Sequence, residues 1–160
     1  QGTWWPKNPM SPIFEEEPVT VVLAPGADSV ASALEELVAR LRDANPTLQA
    51  SCLDAVRGRE AQASTYFGHG LALPHARCSA PTPWVVAFAR YPDGLAWGPA
   101  GERAQLVFLS LIPATAATDY LRFLQKLGRA IRDDPAREAL LAAPDEDAVR
   151  HWMRTHLRIG

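Results

Sequence analysis

Residues 59–77 hold the side chains of this sequence that are best suited to chemistry. The stretch is Arg-Glu-Ala-Gln-Ala-Ser-Thr-Tyr-Phe-Gly-His-Gly-Leu-Ala-Leu-Pro-His-Ala-Arg. Gly68 and Gly70 permit a tight turn, and a short apolar run then leads to Pro74 and His75. Because proline fixes its own φ and favours an extended residue before it, we expect a stiff backbone to hold the His75 imidazole.

A histidine presented in this way can serve as a nucleophile, a proton carrier or a metal ligand. A metal ion needs further ligands, and Cys78 is the only cysteine close to His75 in the sequence, so we predict no metal site. A structural histidine in a loop is the other interpretation. The residues alone leave both the chemical and the structural role open, and they indicate no cofactor.

The composition excludes several classes of protein. The chain has 160 residues, 48% of them hydrophobic, with 16 Lys and Arg against 18 Asp and Glu. This balance gives little support for nucleic-acid binding, and the length fits one domain with a sizeable core.

Two cysteines form neither a disulfide framework nor a metal quartet, so we expect reduced thiols and a cytoplasmic protein. Apolar runs such as residues 84–89 are too short to span a bilayer, so we expect membrane contact only through a partner or the rest of a longer chain.

The first 17 residues are rich in proline and have no hydrophobic periodicity. We interpret residues 1–17 as a linker or a purification-tag remnant and residues 18–160 as the domain. Trp4 and Trp5 are unusual in a free linker, because exposed aromatic side chains usually find an interface. They either bind a partner or pack on the surface of the domain itself.

Strand and helix signals alternate along the first two thirds of the domain. A β-branched run over 19–23 predicts a first strand, and Asp28 and Ser29 are potential N-caps of a first helix. Asn45-Pro46 resembles the start of a second helix, which Gly58 should end or interrupt. Further strands are predicted over 71–73, 84–89 and 105–112, with a turn at Pro92-Asp93-Gly94 between the last two.

The final third has the periodicity of helices. Leu121, Leu124, Leu127 and Ile131 should lie near one helix face, where Gly128 would allow a close approach to a neighbour. Asp134-Pro135 and Asp145 indicate two more helix starts. The mixture predicts an α/β fold, a single domain with a mixed β-sheet sandwiched by helices.

The run from Arg59 to His75 resembles the signature of the type-2 IIA domains of the bacterial phosphotransferase system, the fructose, mannitol and nitrogen-regulatory kind. In that family an Arg-Glu pair precedes Ser/Thr-Thr, a glycine turn and then Pro-His, with the spacing seen here. The segment 90–98 also resembles a strand-turn-strand element of the family. The similarity covers most of residues 19–157.

The resemblance implies a role for each of these residues. His75 would accept a phosphoryl group from a phosphocarrier protein and pass it to a downstream component or a transporter. Arg59 would bind the phosphoryl oxygens through its planar fork, unless it is only a solvated helix end. Thr65, Gly68 and Gly70 would add hydrogen-bond donors.

At one position the sequence departs from the family. A second histidine commonly follows the last central strand, and Tyr120 stands at the matching position here. A tyrosine can donate a hydrogen bond but cannot become cationic, and a core aromatic is the alternative role. His69 is six residues before His75 and is a candidate to compensate, whereas we expect His151 and His156 to be surface residues.

Two functional hypotheses follow from the motif and its departure. In the first, the chain is a IIA phosphocarrier that uses a phosphohistidine in sugar uptake or regulation. In the second, it is a IIA-like cytosolic module that regulates a membrane transporter and no longer relays phosphate. The intact Arg59 and His75 favour the first hypothesis, and Tyr120 favours the second.

Overall fold

A computed structural model describes residues 14–78 and 84–158 of the chain. One strand and two helices are followed by five strands and then by three helices, with a 3₁₀ turn at Ala114–Ala116 before the last three helices. The strands are β1 (Phe14–Val22), β2 (Tyr66–Gly68), β3 (Leu71–Ala72), β4 (His75–Arg77), β5 (Trp84–Ala96) and β6 (Arg103–Ile112). The helices are α1 (Val30–Ala44), α2 (Ser51–Gln62), α3 (Ala117–Arg132), α4 (Asp134–Ala142) and α5 (Glu146–His156).

The strands form one mixed sheet in the order β1-β5-β6-β3-β2, and β4 also pairs with β6. β5 and β6 are antiparallel, whereas β1 runs parallel to β5, and β3 and β4 run parallel to β6. One face of the sheet packs under α3, α4 and α5 in a core that includes Phe88, Phe108 and Phe123. The other face packs under α1 and α2. This confirms the predicted α/β sandwich.

The predicted helix starts are mostly confirmed, because each is set by a local capping side chain. Ser29 caps α1 in a reciprocal capping box with Ser32, and Asp145 caps α5 by accepting from the Ala148 N–H. For α4 the cap is Asp133, one residue before the predicted Asp134-Pro135 start.

The predicted start of the second helix is wrong. Asn45 instead ends α1: its backbone N–H and its side-chain amide both donate to the Leu41 carbonyl. α2 begins later, at Ser51, and Gly58 neither ends nor interrupts it. The carbonyls in the last turn of a helix have no partner within the helix, and Asn45 satisfies one of them. Asn45 therefore ends α1 rather than opening the next helix.

The predicted turn at Pro92-Asp93-Gly94 is also wrong. These residues lie inside β5, where the pairing with β6 shifts register between Arg90 and Leu95. Gly94 has a φ of 76° and leaves room for Arg103, whose guanidinium donates to the Asp93 and Gly94 carbonyls. The residues form a bulge within a long strand, and the chain reverses instead over residues 97–102.

The buried stripe of α3 differs from the predicted one. Tyr120, Phe123, Leu127 and Ile131 are buried, whereas Leu121 is 60% exposed. Leu127 and Ile131 are buried as predicted, whereas Tyr120 and Phe123 take the buried positions that were expected of Leu121 and Leu124. Gly128 does allow a close approach, since a Cβ there would lie 2.9 Å from Phe67 Cζ.

β1 begins at Phe14, inside the segment that the sequence pattern assigned to the linker. The remaining part of that segment, residues 1–13 with Trp4 and Trp5, lies outside the described residues. Within the described residues, no helix has the length and apolar character needed to cross a bilayer.

Candidate functional site

The position of His75 is set by an edge segment that runs along β6 and is interrupted at Pro74. Leu71 pairs with Leu106, and His75 pairs with Ser110, both in parallel register. Between them the Ser110 N–H donates to the Pro74 carbonyl at 3.0 Å. Backbone pairing with β6 therefore continues on both sides of the proline and sets where the backbone of His75 lies.

A backbone hydrogen bond orients the His75 ring. Its Nδ1 lies 2.9 Å from the Leu73 carbonyl oxygen, and because a carbonyl can only accept, Nδ1 carries the hydrogen of the neutral ring. Burial lowers the pKa of His75 below 6.5, and the charges of Arg59 and Arg77 act in the same direction. The bond to Leu73 and the charge of Glu60 oppose this lowering without reversing it. At neutral pH the ring is therefore uncharged, and its Nε2 has a free lone pair.

Tyr120 contacts the His75 ring, with the ring centroids 5.2 Å apart and the planes at 46°. It also packs edge-on against Trp84, so Tyr120 is a core residue that contacts His75 at the same time. Burial raises the pKa of its hydroxyl, and the nearby Ser110 hydroxyl and the Arg59 charge partly oppose the rise. Neither hydroxyl makes a hydrogen bond of normal geometry to another described residue. The two hydroxyls thus lie near each other beside His75, that of Tyr120 on α3 and that of Ser110 on β6, which pairs with β4.

Arg59 reaches the site from α2, which packs on the opposite face of the sheet. Its Nη1 donates to the Ala63 carbonyl at 2.8 Å, which anchors the side chain at the end of the helix. Its charge lowers the pKa of both His75 and Tyr120. Of the residues that the motif and its departure singled out, His75 and Tyr120 are thus in ring contact, and the charge of Arg59 acts on both from the end of α2.

Glu60 is the second residue of the Arg-Glu pair in the motif, and the sequence analysis gave it no role. Its carboxylate accepts from the Thr65 N–H at 2.8 Å, the Thr65 hydroxyl at 2.6 Å and the Trp97 Nε1–H at 3.1 Å. This network ties the end of α2 to the segment before β2 and to the β5–β6 turn. The predicted donor Thr65 is thereby committed to Glu60, and its role in this structure is to hold Glu60 close to His75.

The glycine turn lies apart from His75. Gly68, His69 and Gly70 all have positive φ, and the Gly70 carbonyl accepts from Gln105 and Leu106 on β6. His75 pairs four residues further along β6, about 13 Å away at the usual strand rise. The structure therefore does not bring His69, Gly68 or Gly70 to the imidazole, and their part is to form the β2–β3 turn.

The remaining histidines and cysteines lie away from the site. His151 is exposed on α5, as predicted, whereas the half-buried His156 packs on Trp152 at 4.6 Å. Cys52 and Cys78 are buried free thiols, and burial raises the pKa of Cys78 to about 12. Among residues 14–78 and 84–158, no cluster of three His, Cys, Asp or Glu side chains suits a metal ion.

Comparison with known proteins identifies a family. Residues 13–155 match the family model described as phosphoenolpyruvate-dependent sugar phosphotransferase system, EIIA 2. The chain is 36% identical over 101 residues to a fructose-specific EIIA component of Haloferax volcanii, covering 62% of this chain and 66% of that protein. It is 29% identical over 140 residues to a nitrogen regulatory protein of Bradyrhizobium diazoefficiens, covering 82% and 92%.

Another relative is larger than this chain. The match to the fructose-specific EIIABC component of Bacillus subtilis, at 33% identity, covers 64% of this chain and 16% of that protein. The chain thus spans less than two thirds of the Haloferax and Bacillus relatives.

Among solved structures, the nitrogen regulatory protein IIA-Ntr of Neisseria meningitidis superposes with a TM-score of 0.75 at 26% identity, covering 88% of this chain and 96% of that one. The mannitol IIA of Escherichia coli shares the fold, with a TM-score of 0.72 at 22% identity over 83% of this chain and 94% of its own.

Replacing Glu60 by glutamine tests the network around Thr65. The amide retains the size but turns an NH₂ toward one of the three donors, so Glu60→Gln should lower the free energy of unfolding by about 1–3 kcal/mol. Loss of the negative charge should also lower the pKa of His75 further. Urea unfolding and an NMR titration measure the two effects. Glu138→Gln, at an exposed position on α4, is the control. Equal losses of unfolding free energy in both variants would show that the hydrogen bonds of Glu60 do not stabilise the fold.

The tautomer and titration of His75 can be observed directly. Long-range ¹H–¹⁵N NMR should show the hydrogen on Nδ1 and a midpoint below that of a free imidazole. The unfolded chain then binds protons at higher pH than the folded one, so stability should fall as the pH is lowered through 6.5 towards the folded pKa. A midpoint above 6.5, or a hydrogen on Nε2, would contradict the geometry described above.

Proposed function

Since the chain belongs to the EIIA type-2 family of the phosphoenolpyruvate-dependent sugar phosphotransferase system, we propose that it accepts a phosphoryl group on His75 and passes it on. The observation that carries this proposal is the hydrogen bond from His75 Nδ1–H to the Leu73 carbonyl. It leaves Nε2 as the nucleophile on a ring that burial keeps neutral. A neutral imidazole nitrogen with an available lone pair is what attack on phosphorus requires.

In the transfer step, the Nε2 lone pair forms the new N–P bond. The bond between phosphorus and the donor breaks at the same time, and the donor retains that electron pair. The phosphorylated ring keeps its Nδ1 hydrogen and gains positive charge, which the Leu73 carbonyl stabilises. Passing the group to the next protein reverses these events, and no proton has to leave His75 in either direction.

The transferring phosphoryl oxygens need positive charge and hydrogen-bond donors around them. Arg59 supplies the charge, because its guanidinium has five N–H groups and the bond to Ala63 uses one of them. The hydroxyls of Ser110 and Tyr120 are the next candidates, since both lie beside His75 and neither makes a hydrogen bond of normal geometry to a described residue. Together they replace the cationic second histidine common in the family with neutral donors.

The donor in this proposal is a phosphocarrier protein, and the acceptor is a downstream component of the system or a transporter. The family depends on phosphoenolpyruvate, which is a metabolite of the cytoplasm. We therefore propose that the domain acts in the cytoplasm. The relatives include fructose-specific components as well as nitrogen regulatory proteins. The transferred group therefore serves either sugar uptake or regulation.

A regulatory role has specific support. The two nitrogen regulatory proteins match this chain over 82% and 88% of its length, and the match covers nearly all of each of them. The fructose-specific relatives match over 62% and 64%. In this second candidate function, the domain controls a larger partner. Phosphorylation of His75 then either switches that control on and off or no longer takes place.

Labelling with phosphoenolpyruvate tests the proposal. Incubation with the general phosphotransfer enzymes and labelled phosphoenolpyruvate should place one acid-labile phosphate on the chain, located by mass spectrometry. His75→Ala should abolish the label and keep the far-UV circular dichroism of the wild type, whereas His69→Ala should retain it. Label that persists in His75→Ala, or that maps to His69, would refute the assignment, and an unlabelled wild type would leave the module without phosphotransfer.

Tyr120→Phe separates the site role of Tyr120 from its core role. Removing a buried hydroxyl that makes no hydrogen bond of normal geometry to a described residue should change the free energy of unfolding little. If the hydroxyl donates to the phosphoryl group, the initial labelling rate should fall by the value of one hydrogen bond, about 0.5–1.5 kcal/mol, or roughly two- to tenfold. An unchanged labelling rate with lower stability would make Tyr120 a core aromatic only.

A further inference from the structure

A cavity near the opposite end of the sheet lies apart from the proposed site at His75. It has a volume of about 380 Å³ and is lined by the β1–α1 loop, residues 23–28, and by the β5 bulge, residues 90–95. Arg90 pairs with Leu106 on β6, four residues from the partner of His75, which is about 13 Å at the usual strand rise. The crevice beyond the carboxyl end of a parallel strand is a common ligand site in α/β sheets, and the volume suits a small molecule.

Tyr91 has a buried hydroxyl and lines this cavity, here called the Tyr91 cavity. The residue is 5% exposed, and its hydroxyl makes no hydrogen bond of normal geometry to a described residue. Burial raises the pKa of the hydroxyl and the charge of Glu36 acts in the same direction, so the hydroxyl stays protonated. Because buried polar groups nearly always have a hydrogen-bond partner, this hydroxyl is available to a molecule bound in the cavity.

The backbone N–H groups of the loop are already satisfied. Those of residues 26–27 donate to the Glu36 carboxylate, and those of residues 28–29 donate to the Ser32 hydroxyl. A phosphate site at the start of a helix needs such N–H groups free and directed at the anion. The loop therefore offers a phosphate group no backbone cradle, although it leads into α1.

Side chains of both charges line the cavity. Arg103 donates through Nε and Nη2 to two carbonyls of the β5 bulge, and Arg90 donates through Nη1 to the Leu140 carbonyl. Each guanidinium is thus held in place and keeps further N–H groups for a ligand. The carboxylates of Asp28 and Asp93 lie on the same wall. None of these four charged side chains forms an ion pair with a described residue.

Opposite charges that share a cavity without pairing with each other suit a ligand that carries both charges. We propose that the Tyr91 cavity binds a small α-amino acid with an apolar side chain. Its carboxylate accepts from the guanidinium groups of Arg90 and Arg103, and its ammonium group donates to the carboxylates of Asp28 and Asp93. The Tyr91 hydroxyl adds a hydrogen bond to the ligand. The rest of the wall is apolar and contacts the side chain of the ligand: Leu23, Pro25 and Leu95. This inference goes beyond the proposed function and does not depend on it.

L-Leucine and two of its analogues test the proposal. 4-Methylpentanoate lacks the ammonium group, and 3-methylbutylamine lacks the carboxylate. In ¹H–¹⁵N NMR titrations, L-leucine should shift the amide signals of residues 23–28 and 90–95 to saturation. Each analogue should bind at least about tenfold more weakly, because it leaves one pair of charged side chains without its hydrogen bonds to the ligand.

Two variants test the residues that would hold the ligand. Tyr91→Phe should weaken L-leucine binding roughly two- to tenfold, the value of one hydrogen bond. Asp93→Asn should weaken it by about tenfold or more, since the lost bond is to a charged group. Asp93 is exposed, so the fold should tolerate the change, and urea unfolding checks both variants. Asp147→Asn, at an exposed position on α5, is the matched control and should bind L-leucine like the wild type, as should His75→Ala.

The opposite results are equally specific. Absence of a saturable shift with L-leucine, or shifts confined to other residues, would overturn the proposal. Equal affinity for L-leucine and either analogue would show that the ligand need not carry both charges, and binding of fructose without L-leucine would assign the cavity to a neutral polyol. Unchanged affinity in folded Tyr91→Phe and Asp93→Asn would place the ligand elsewhere. If the wild type binds L-leucine but takes no phosphoryl label, the proposed function fails and this inference stands.

Discussion

The parallel pairing of residues 71–77 with β6 places the candidate site. Pairing continues on both sides of Pro74 because the proline carbonyl still accepts from Ser110, so the missing N–H of the proline costs the edge segment little. His75 then stands opposite Ser110, under the first turn of α3, where Tyr120 contacts its ring. The Leu73 carbonyl, two residues earlier on the same segment, orients the imidazole. The segment that carries His75 therefore also selects the tautomer of its ring.

The site joins two helices that lie on opposite faces of the sheet. α3 brings Tyr120 against His75 on one face, and α2 contributes Arg59 and Glu60 from the other. A sheet would normally separate such groups, but β4 is an edge segment of only three residues, so side chains at the end of α2 act on the imidazole around its border. Glu60 fixes this arrangement, since its carboxylate bonds to both Thr65 and Trp97. Opposite charges from Arg59 and Glu60 then balance around a ring whose pKa burial has lowered.

The replacement of a second histidine by Tyr120 alters how a negative phosphoryl group would be neutralised. A buried tyrosine hydroxyl with a raised pKa stays protonated and donates over the whole physiological range of pH, whereas a histidine donates from a cation only when it is charged. Phosphate binding would therefore depend on Arg59 and on neutral hydroxyls, with less sensitivity to pH.

Local chemistry in the sequence was enough to predict much of this protein. Three kinds of signal depend only on neighbours along the chain: the motif from Arg59 to His75, the capping residues Ser29 and Asp145, and the mixture of strand and helix patterns. These signals yielded the family, the fold class and the position of His75 after Pro74. The tertiary structure decided what depends on contacts between distant segments. Register along β6 separated His69 from His75 and placed Ser110 beside it, and the packing of α3 exposed Leu121 while burying Tyr120. The bonds of Glu60 to Trp97 and the bulge at Gly94 likewise depend on partners remote in sequence. No periodicity or spacing encodes such partners, because they are set only when the sheet and its two helical layers come together.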